Sequence, residues 1–245
     1  MDFPTFDLNG QVALVTGAAR GLGRAISLAL AHAGADVALG LRDANAHDNL
    51  PAEIAALARR ALPLQMDMAC LDQVRCAVEE AARHFGRLDI LVNNAGIGIM
   101  KRVDQLSPEE WDQTIQTNLS SAFYCSREAI PLLRRRAGGY IFNISSLAGA
   151  NAFPGGAAYN ASKSGLNGFS EAMMQDIRYD GIRVSYIMPG SVDTDFGAAS
   201  GNKPRAPWKL TGEDVAKAII DLYRFPSRAL ASRIEMRPAQ PPEKK

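Results

Sequence analysis

Short apolar runs alternate with longer stretches of helical periodicity along almost the whole chain. That alternation constrains the fold more than any other feature. Val12–Thr16 reads as a buried strand, followed by a helix from about Gly21 to Ala33. Asp36–Leu41 is the next strand, and a helix with ragged boundaries covers part of Asn49–Ala61. Leu62–Met66 is a third strand, about Leu71–Phe85 a helix, and Leu88–Val92 a fourth strand. Ser107-Pro108-Glu109-Glu110 carries a capping box with Pro at the first helical position. The helix it starts runs on towards Arg136, and Pro131 is expected to kink or interrupt it. Tyr140–Ile144, Ile182–Ile187 and Leu230–Met236 read as strands, Ala157–Tyr179 and Glu213–Tyr223 as helices. Strands separated by helices must pair in parallel through right-handed crossovers. The expectation is an α/β fold: a doubly wound parallel sheet of about seven strands with helices on both faces. No linker or repeat divides the chain, so residues 1–245 are expected to form one domain with a frayed tail at Pro238–Lys245.

Composition excludes several classes of partner. The chain has 245 residues, 47% of them hydrophobic, enough for a sizeable core. Its 27 basic and 26 acidic residues leave a formal charge of +1, which points away from nucleic acid and anionic membranes. The tight basic run Arg134-Arg135-Arg136 ends an amphipathic stretch, where cations complement a helix C-terminus. No stretch approaches the roughly 20 apolar residues of a membrane span. Met1–Gly10 lacks a basic region followed by an apolar run, so no signal peptide is expected. Cys70, Cys76 and Cys125 form no CxxC pair, which fits a reducing cytoplasm. His32, His47 and His84 lack metal-ligand spacing, so no metal site is expected.

Thr16-Gly17-Ala18-Ala19-Arg20-Gly21-Leu22-Gly23 follows the first strand and opens a helix. Glycines there permit a tight turn and close backbone approach, and a helix N-terminus attracts a pyrophosphate. The spacing is Gly17, Gly21, Gly23, related to GxGxxG but distinct from it. A structural turn also uses glycine; the position after the first strand is what favours a dinucleotide.

Tyr159 and Lys163 stand four apart in a helical stretch and so share a face. A free phenol, with a pKa of about 10, is a poor acid-base catalyst at neutral pH. A cation fixed nearby favours the phenolate and lowers that pKa. The hydroxyl of Ser146 can hold a substrate oxygen. The inferred chemistry is proton transfer at a carbonyl or alcohol. A Tyr and a Lys at this spacing also occur on ordinary helix surfaces, so the reading depends on its agreement with the rest of the chain.

Together these residues resemble the short-chain dehydrogenase/reductase family in its short single-domain branch. TGxxxGxG appears as Thr16 to Gly23, NNAG as Asn93-Asn94-Ala95-Gly96, and the Asn of the catalytic set as Asn118. Ser146 stands thirteen residues before the Tyr, YxxxK is Tyr159 and Lys163, and PG is Pro189-Gly190, followed by Val192 and Thr194. The matches keep family order from about Gly10 to Thr194.

The resemblance implies a Rossmann-type sheet with a nicotinamide cofactor at the carboxyl ends of its strands. It implies hydride transfer between the nicotinamide and a carbonyl or secondary alcohol. Tyr159 would be the general acid/base, Lys163 would bind the nicotinamide ribose and depress the Tyr159 pKa, and Ser146 would orient the carbonyl. Asn118 would hold a water linking Lys163 to solvent. Ser145 is a rival for the serine role, though its spacing to Tyr159 fits less well. Gly17, Arg20, Gly21, Leu22, Gly23, Ala95, Gly96, Pro189 and Gly190 would line the cofactor. Val192 and Thr194 would contact its carboxamide, Asp67 and Met68 its adenine, and Asn94 its adenosine ribose. Asn93 would bridge strands.

The end of the second strand bears on the choice between NADP and NAD. An acid there binds the ribose 2′-hydroxyl in NAD enzymes of this fold. Counting from the apolar strand, that place falls on the neutral Leu41, and the next residue is Arg42. Arg20 can supply a second cation to a 2′-phosphate. NADP is therefore expected, although a shift of one or two residues would put Asp43 against the ribose and favour NAD.

A cytoplasmic carbonyl reductase or alcohol dehydrogenase is the leading expectation, acting on a small-molecule carbonyl or alcohol. A cofactor-binding regulator without chemistry should have lost Tyr159 or Lys163. A nucleotide-sugar epimerase or dehydratase would need more chain after Thr194. Acyl-carrier-protein reductases often carry Arg before the glycine preceding the sixth strand, where this chain has Asp180. Relatives pair their long helices, so a homo-oligomer, tetramer or dimer, is expected, with Gly165, Gly168, Phe169 and Met173 as a close-packed face. Those four could equally pack within one subunit. The ending Ser232-Arg233-Ile234-Glu235-Met236-Arg237-Pro238 departs from the family's VxGG. Gly98–Arg102, Asn151–Gly155 and Asp195–Trp208 would wall the substrate pocket.

Overall fold

The computed structural model describes residues 7–136, 138–194, 196 and 206–242. In chain order the elements are β1 (Val12–Thr16), α1 (Gly21–His32), β2 (Asp36–Leu41), α2 (Leu50–Ala56), β3 (Ala61–Gln65), α3 (Leu71–Phe85) and β4 (Ile90–Asn93). There follow α4 (Pro108–Ile115), α5 (Ser121–Arg134), β5 (Gly139–Ile144), α6 (Ala157–Ile177), β6 (Ile182–Pro189), α7 (Gly212–Tyr223) and β7 (Arg233–Met236).

The seven strands form one sheet in the order β3-β2-β1-β4-β5-β6-β7. Every pairing is parallel. The order reverses beside β1, whose neighbours are β2 and β4. Loops leaving β1 and β4 must therefore diverge, and a crevice opens at the carboxyl ends there. All five residues of β1 are buried, because helices cover both faces of the sheet. One core layer packs Ile26, Leu30, Leu50, Ile54, Val215 and Ile219 from α1, α2 and α7 on β1, β2 and β5. The other packs Val74, Val78, Cys125, Leu133, Met173 and Ile177 from α3, α5 and α6 on the opposite face. Each large aliphatic side chain so buried contributes about 1.5–3 kcal/mol.

At the amino ends of the strands Asp89 is buried and braces the sheet. Its carboxylate accepts from the Val12 amide at 2.9 Å and from both arms of Arg87 at 2.7 and 2.6 Å. Helix α2 ends in a Schellman arrangement: Ala58 N–H donates to Ala55 and Arg59 N–H to Ile54. That geometry puts Ala58, which has a Cβ, at φ 56°.

The long helix after Ser107 departs from the sequence reading. The Ser107/Glu110 capping box is present. The break, however, lies at Gln116–Ser120, which forms a π-turn, and α5 continues through Pro131 to Arg134. Pro131 is exposed. A solvent-facing carbonyl that loses its partner to proline can bond water instead, so the helix survives. Smaller differences lie at element ends: β3 starts at Ala61 rather than Leu62, and β7 at Arg233 rather than Leu230. Residues 238–242 of the expected tail form neither helix nor strand; the rest of it lies outside the described residues. Among the described residues no helix is long and apolar enough to cross a membrane.

Candidate active site

The glycine loop between β1 and α1 is built so that nothing projects from it. Gly17 and Gly21 have φ of 65° and 56°, conformations that favour glycine. A Cβ at Gly23 would lie 2.2 Å from the Gly17 carbonyl oxygen, so α1 can begin only with a bare backbone there. Thr16 organises the turn. Its hydroxyl accepts from the Asn94 and Ala95 amides, each at 3.0 Å. The Asn94 side chain donates back to the Thr16 carbonyl at 2.8 Å. Asn94 thus ties the NNAG segment to the glycine loop. Leu22 is half-buried against the sheet-side core. Thr194 stands over the open face of Gly21, where a Cβ would meet its side chain at 3.5 Å. Val192 is held by a backbone bridge to Leu210. Pro189 ends β6, and the Gly190 amide donates to Met236 at 2.8 Å. These segments frame a cradle at the switch point, and it fits a dinucleotide with its pyrophosphate at the N-terminus of α1.

A second group of the expected cofactor residues lies at the start of α1 and just past β2 and β3. Arg20, at the start of α1, and Arg42, just past β2, are both exposed. Neither guanidinium has a hydrogen-bond or ion-pair partner among the described residues. Asp67 accepts from the Ala69 amide at 2.9 Å. Met68 follows it, with its side chain buried in the core facing α3.

The reacting groups converge on the other side. Ser146 caps a short 3-10 turn, Leu147–Gly149, and its hydroxyl accepts from the Ala148 amide at 3.1 Å. It also lies near enough to the Tyr159 phenol to favour the phenolate. Ser145 points elsewhere: its hydroxyl donates to Asn167 at 2.5 Å and lies 3.3 Å from the Lys163 carbonyl. Asn160 joins the two halves. Its amide donates to the Ala148 carbonyl at 2.6 Å, binding the loop of Ser146 to the helix of Tyr159.

Lys163 is 4% exposed, and its ammonium donates to the Ile144 carbonyl at 2.8 Å. Burial lowers its pKa to about 8. Its Nζ lies 5.9 Å from the Tyr159 ring centroid. The lowering of the Tyr159 pKa expected from Lys163 is not seen. Burial pushes the phenol up, and nearby Ser146 opposes this only in part. The reason is that the ammonium is spent on a carbonyl and is itself destabilised by burial.

Asn118 sits in the π-turn. Its Nδ2 donates to the Ile97 carbonyl at 2.9 Å and to Ser162 at 3.0 Å; its Oδ1 accepts from the Ile97 amide at 2.8 Å. Both amide hydrogens are therefore committed, and any water it holds must be held by an oxygen. Gly96 lies beneath, where a Cβ would come 3.3 Å from Asn118 Oδ1 and 3.7 Å from Lys163 Nζ. A glycine here leaves the flat approach that a nicotinamide ribose needs. Asn93 donates to Ser126 at 3.1 Å and, across the β4–β5 register, to Asn143 at 2.8 Å.

On the substrate side the Phe196 ring packs 5.7 Å from the Tyr159 ring, and a Cβ at Gly98 would strike it. Lys101, in one expected pocket wall, pairs in a backbone bridge with Gly156, the residue just past a second. Asp195 and most of the third wall, residues 197–205, lie outside the described residues. Sequence reasoning missed Asn160, although it neighbours Tyr159; Phe196 fell within the expected wall Asp195–Trp208 without being singled out.

The profile of the family described as short chain dehydrogenase matches residues 11–205. The chain belongs to that family. A 3-oxoacyl-acyl-carrier-protein reductase from Synechocystis sp. is 37% identical over 190 residues, 77% of each chain. A metagenomic short-chain oxidoreductase solved in complex with NADP is 33% identical, with a TM-score of 0.83 over 96% of this chain and 99% of that one. A 7α-hydroxysteroid dehydrogenase complexed with NADH and 7-oxo glycochenodeoxycholic acid is 28% identical, with a TM-score of 0.86 over 94% of each. Both NADP and NADH thus occur in solved structures that this chain resembles.

Proposed function

We propose that this chain is an NAD(P)-dependent oxidoreductase that uses NADP and acts chiefly as a carbonyl reductase. The observation that carries the reading is the convergence of Ser146, Tyr159 and buried Lys163, held together by Asn160, beside the glycine cradle. When bound, the nicotinamide would supply a hydride to the carbonyl carbon. Tyr159 then gives its proton to the carbonyl oxygen, and Ser146 donates a hydrogen bond to that oxygen as charge develops. A phenol whose pKa is raised by burial is fully protonated at neutral pH, the state that reduction needs. The reverse oxidation needs the phenolate and gains as pH rises. Lys163 holds the ribose side, and Asn118 fixes the segment after Gly96 against α6. A regulator without chemistry has no use for this set.

Arg20 and Arg42 support NADP, because two unpaired cations at the adenosine end suit a 2′-phosphate. Asp180, paired with Arg134 at 2.7 Å, puts an acid where acyl-carrier-protein reductases often have Arg, which favours a free ketone over a carrier-bound one. The unpaired cysteines fit a cytoplasmic setting.

Assembly as a tetramer or dimer is proposed with a smaller glycine face than the sequence implied. Gly165 packs on Leu119 of the same chain and Met173 is in the core, which leaves exposed Gly168 and Phe123, with Phe169 beside it. Sedimentation at micromolar concentration should show a species heavier than the 26.3 kDa chain.

Tyr159→Phe tests the mechanism. NADPH binding should persist while ketone reduction falls by about three orders of magnitude or more, given the loss of the proton donor. Turnover like that of the wild type would reject it.

A further inference from the structure

The residue that sets Arg42 in place lies on a different strand. Gln65 is the last residue of the edge strand β3 and stands opposite Leu41, the last residue of β2. The Met66 amide still donates to the Leu41 carbonyl, and there the backbone ladder stops. The Arg42 carbonyl and the Ala44 amide have left the reach of the β3 main chain. The Gln65 carboxamide takes over: its Nε2 donates to the Arg42 carbonyl, and its Oε1 accepts from the Ala44 amide at 3.0 Å. A carboxamide carries a donor and an acceptor side by side, so one side chain completes both bonds as a peptide group would. The next residue in this turn is held too. The Asp43 carboxylate accepts from the Asn45 amide at 3.0 Å, and the Ala46 amide donates to the Asp43 carbonyl at 3.0 Å. Asp43 is thereby turned into its own loop, while the Arg42 side chain is left exposed beside a fixed carbonyl.

We propose that Gln65 is a positioning residue for cofactor choice: its carboxamide clamps residues 42–44 so that Arg42 is presented to the 2′-phosphate of NADP. This rests on the NADP reading above. A long flexible cation gains most from a fixed base, because each rotatable bond frozen on binding subtracts from the contact it makes. Without the clamp the loop samples several conformations, and only a fraction present Arg42, so the apparent affinity falls by that fraction. The loss falls on the 2′-substituent and on nothing else in the cofactor.

The test uses two small ligands and calorimetric titration of the intact protein. Adenosine 2′,5′-bisphosphate carries the 2′-phosphate, and 5′-ADP lacks it. Wild type should favour the bisphosphate. Gln65→Met keeps the stem and removes the carboxamide. It should weaken the bisphosphate by roughly five- to tenfold, the scale of one charge-assisted contact, and leave 5′-ADP unchanged. Gln65→Ala should act alike. In an Arg42→Ala background Gln65→Met should have no further effect, an outcome that loop stabilisation in general would not give. If Gln65→Met keeps the wild-type preference, or weakens both ligands equally, the clamp is refuted while NADP stands. If wild type shows no preference for the bisphosphate, the NADP reading fails and takes this inference with it.

Discussion

Replacing Lys163 by methionine should make the protein more stable and inactive at once. The side chain is 4% exposed and has one hydrogen bond, to the Ile144 carbonyl at 2.8 Å, among the described contacts of its ammonium. Burial lowers its pKa from 10.5 to about 8. Each pKa unit is about 1.4 kcal/mol, so at neutral pH the fold carries a penalty of about 3 kcal/mol for holding this charge. Methionine has similar length and no charge. It also leaves the Ile144 carbonyl without its partner, which costs about 1 kcal/mol. The net gain is about 2 kcal/mol at pH 7, or roughly 4–8 °C in Tm for a chain of this size. The sign with pH follows from the direction of the shift. Between about 8 and 10.5 the unfolded chain binds the proton and the folded chain does not, so wild-type stability rises with pH across that window. The penalty is full below about 8 and gone above 10.5, so the variant's advantage should vanish by then. Urea melts of both proteins at pH 7 and pH 10, with ketone reduction measured alongside, decide it. A variant no more stable than wild type at pH 7, or a difference that ignores pH, would refute the reasoning.

Other substitutions probe the scaffold. Ala58→Gly removes the Cβ from a residue at φ 56° and should stabilise by about 1 kcal/mol, read as a higher urea midpoint at unchanged m-value. Gly23→Ala puts a methyl 2.2 Å from the Gly17 carbonyl oxygen and should abolish NADPH binding in fluorescence titration while the far-ultraviolet spectrum stays helical and stranded. Asp89→Ala strands the Val12 amide and the Arg87 guanidinium and should cost about 3 kcal/mol in the same melts.

The parts legible in the sequence were those with strong local signals. β1, β2 and α3 run between the residues expected of them, because a buried apolar run or an amphipathic stripe is closed by a definite stop, as at Gly86 with φ 77°. The Ser107/Glu110 box was equally plain. The π-turn was not, since Gln116–Ser120 has ordinary helical residues and only the packing of Leu119 on Gly165 and the bonds of Asn118 reveal it. Motif order gave the members of the site but not their electrostatics. Whether Lys163 acts on Tyr159 depends on where its ammonium points, and the Ile144 carbonyl takes it. The Gln65 clamp left no trace in the sequence, because it joins the ends of two strands through an unremarkable surface residue.

The π-turn at Gln116–Ser120 also reverses the usual tolerance of a chain to changes in length. Loops absorb an added or missing residue, whereas helices ordinarily do not. A π-turn holds one residue more than regular α-helical bonding needs. Deleting a residue there would let α4 and α5 join into one unbroken α-helix, a change that secondary structure alone would welcome. The same deletion would turn everything on one side of it by about 100°, the rotation per residue of an α-helix. Asn118 would leave Ile97 and Ser162, and Leu119 would leave the notch at Gly165. In a lineage of such chains this segment should therefore hold its length more strictly than its composition, and the guardian of that length is the site rather than the helix.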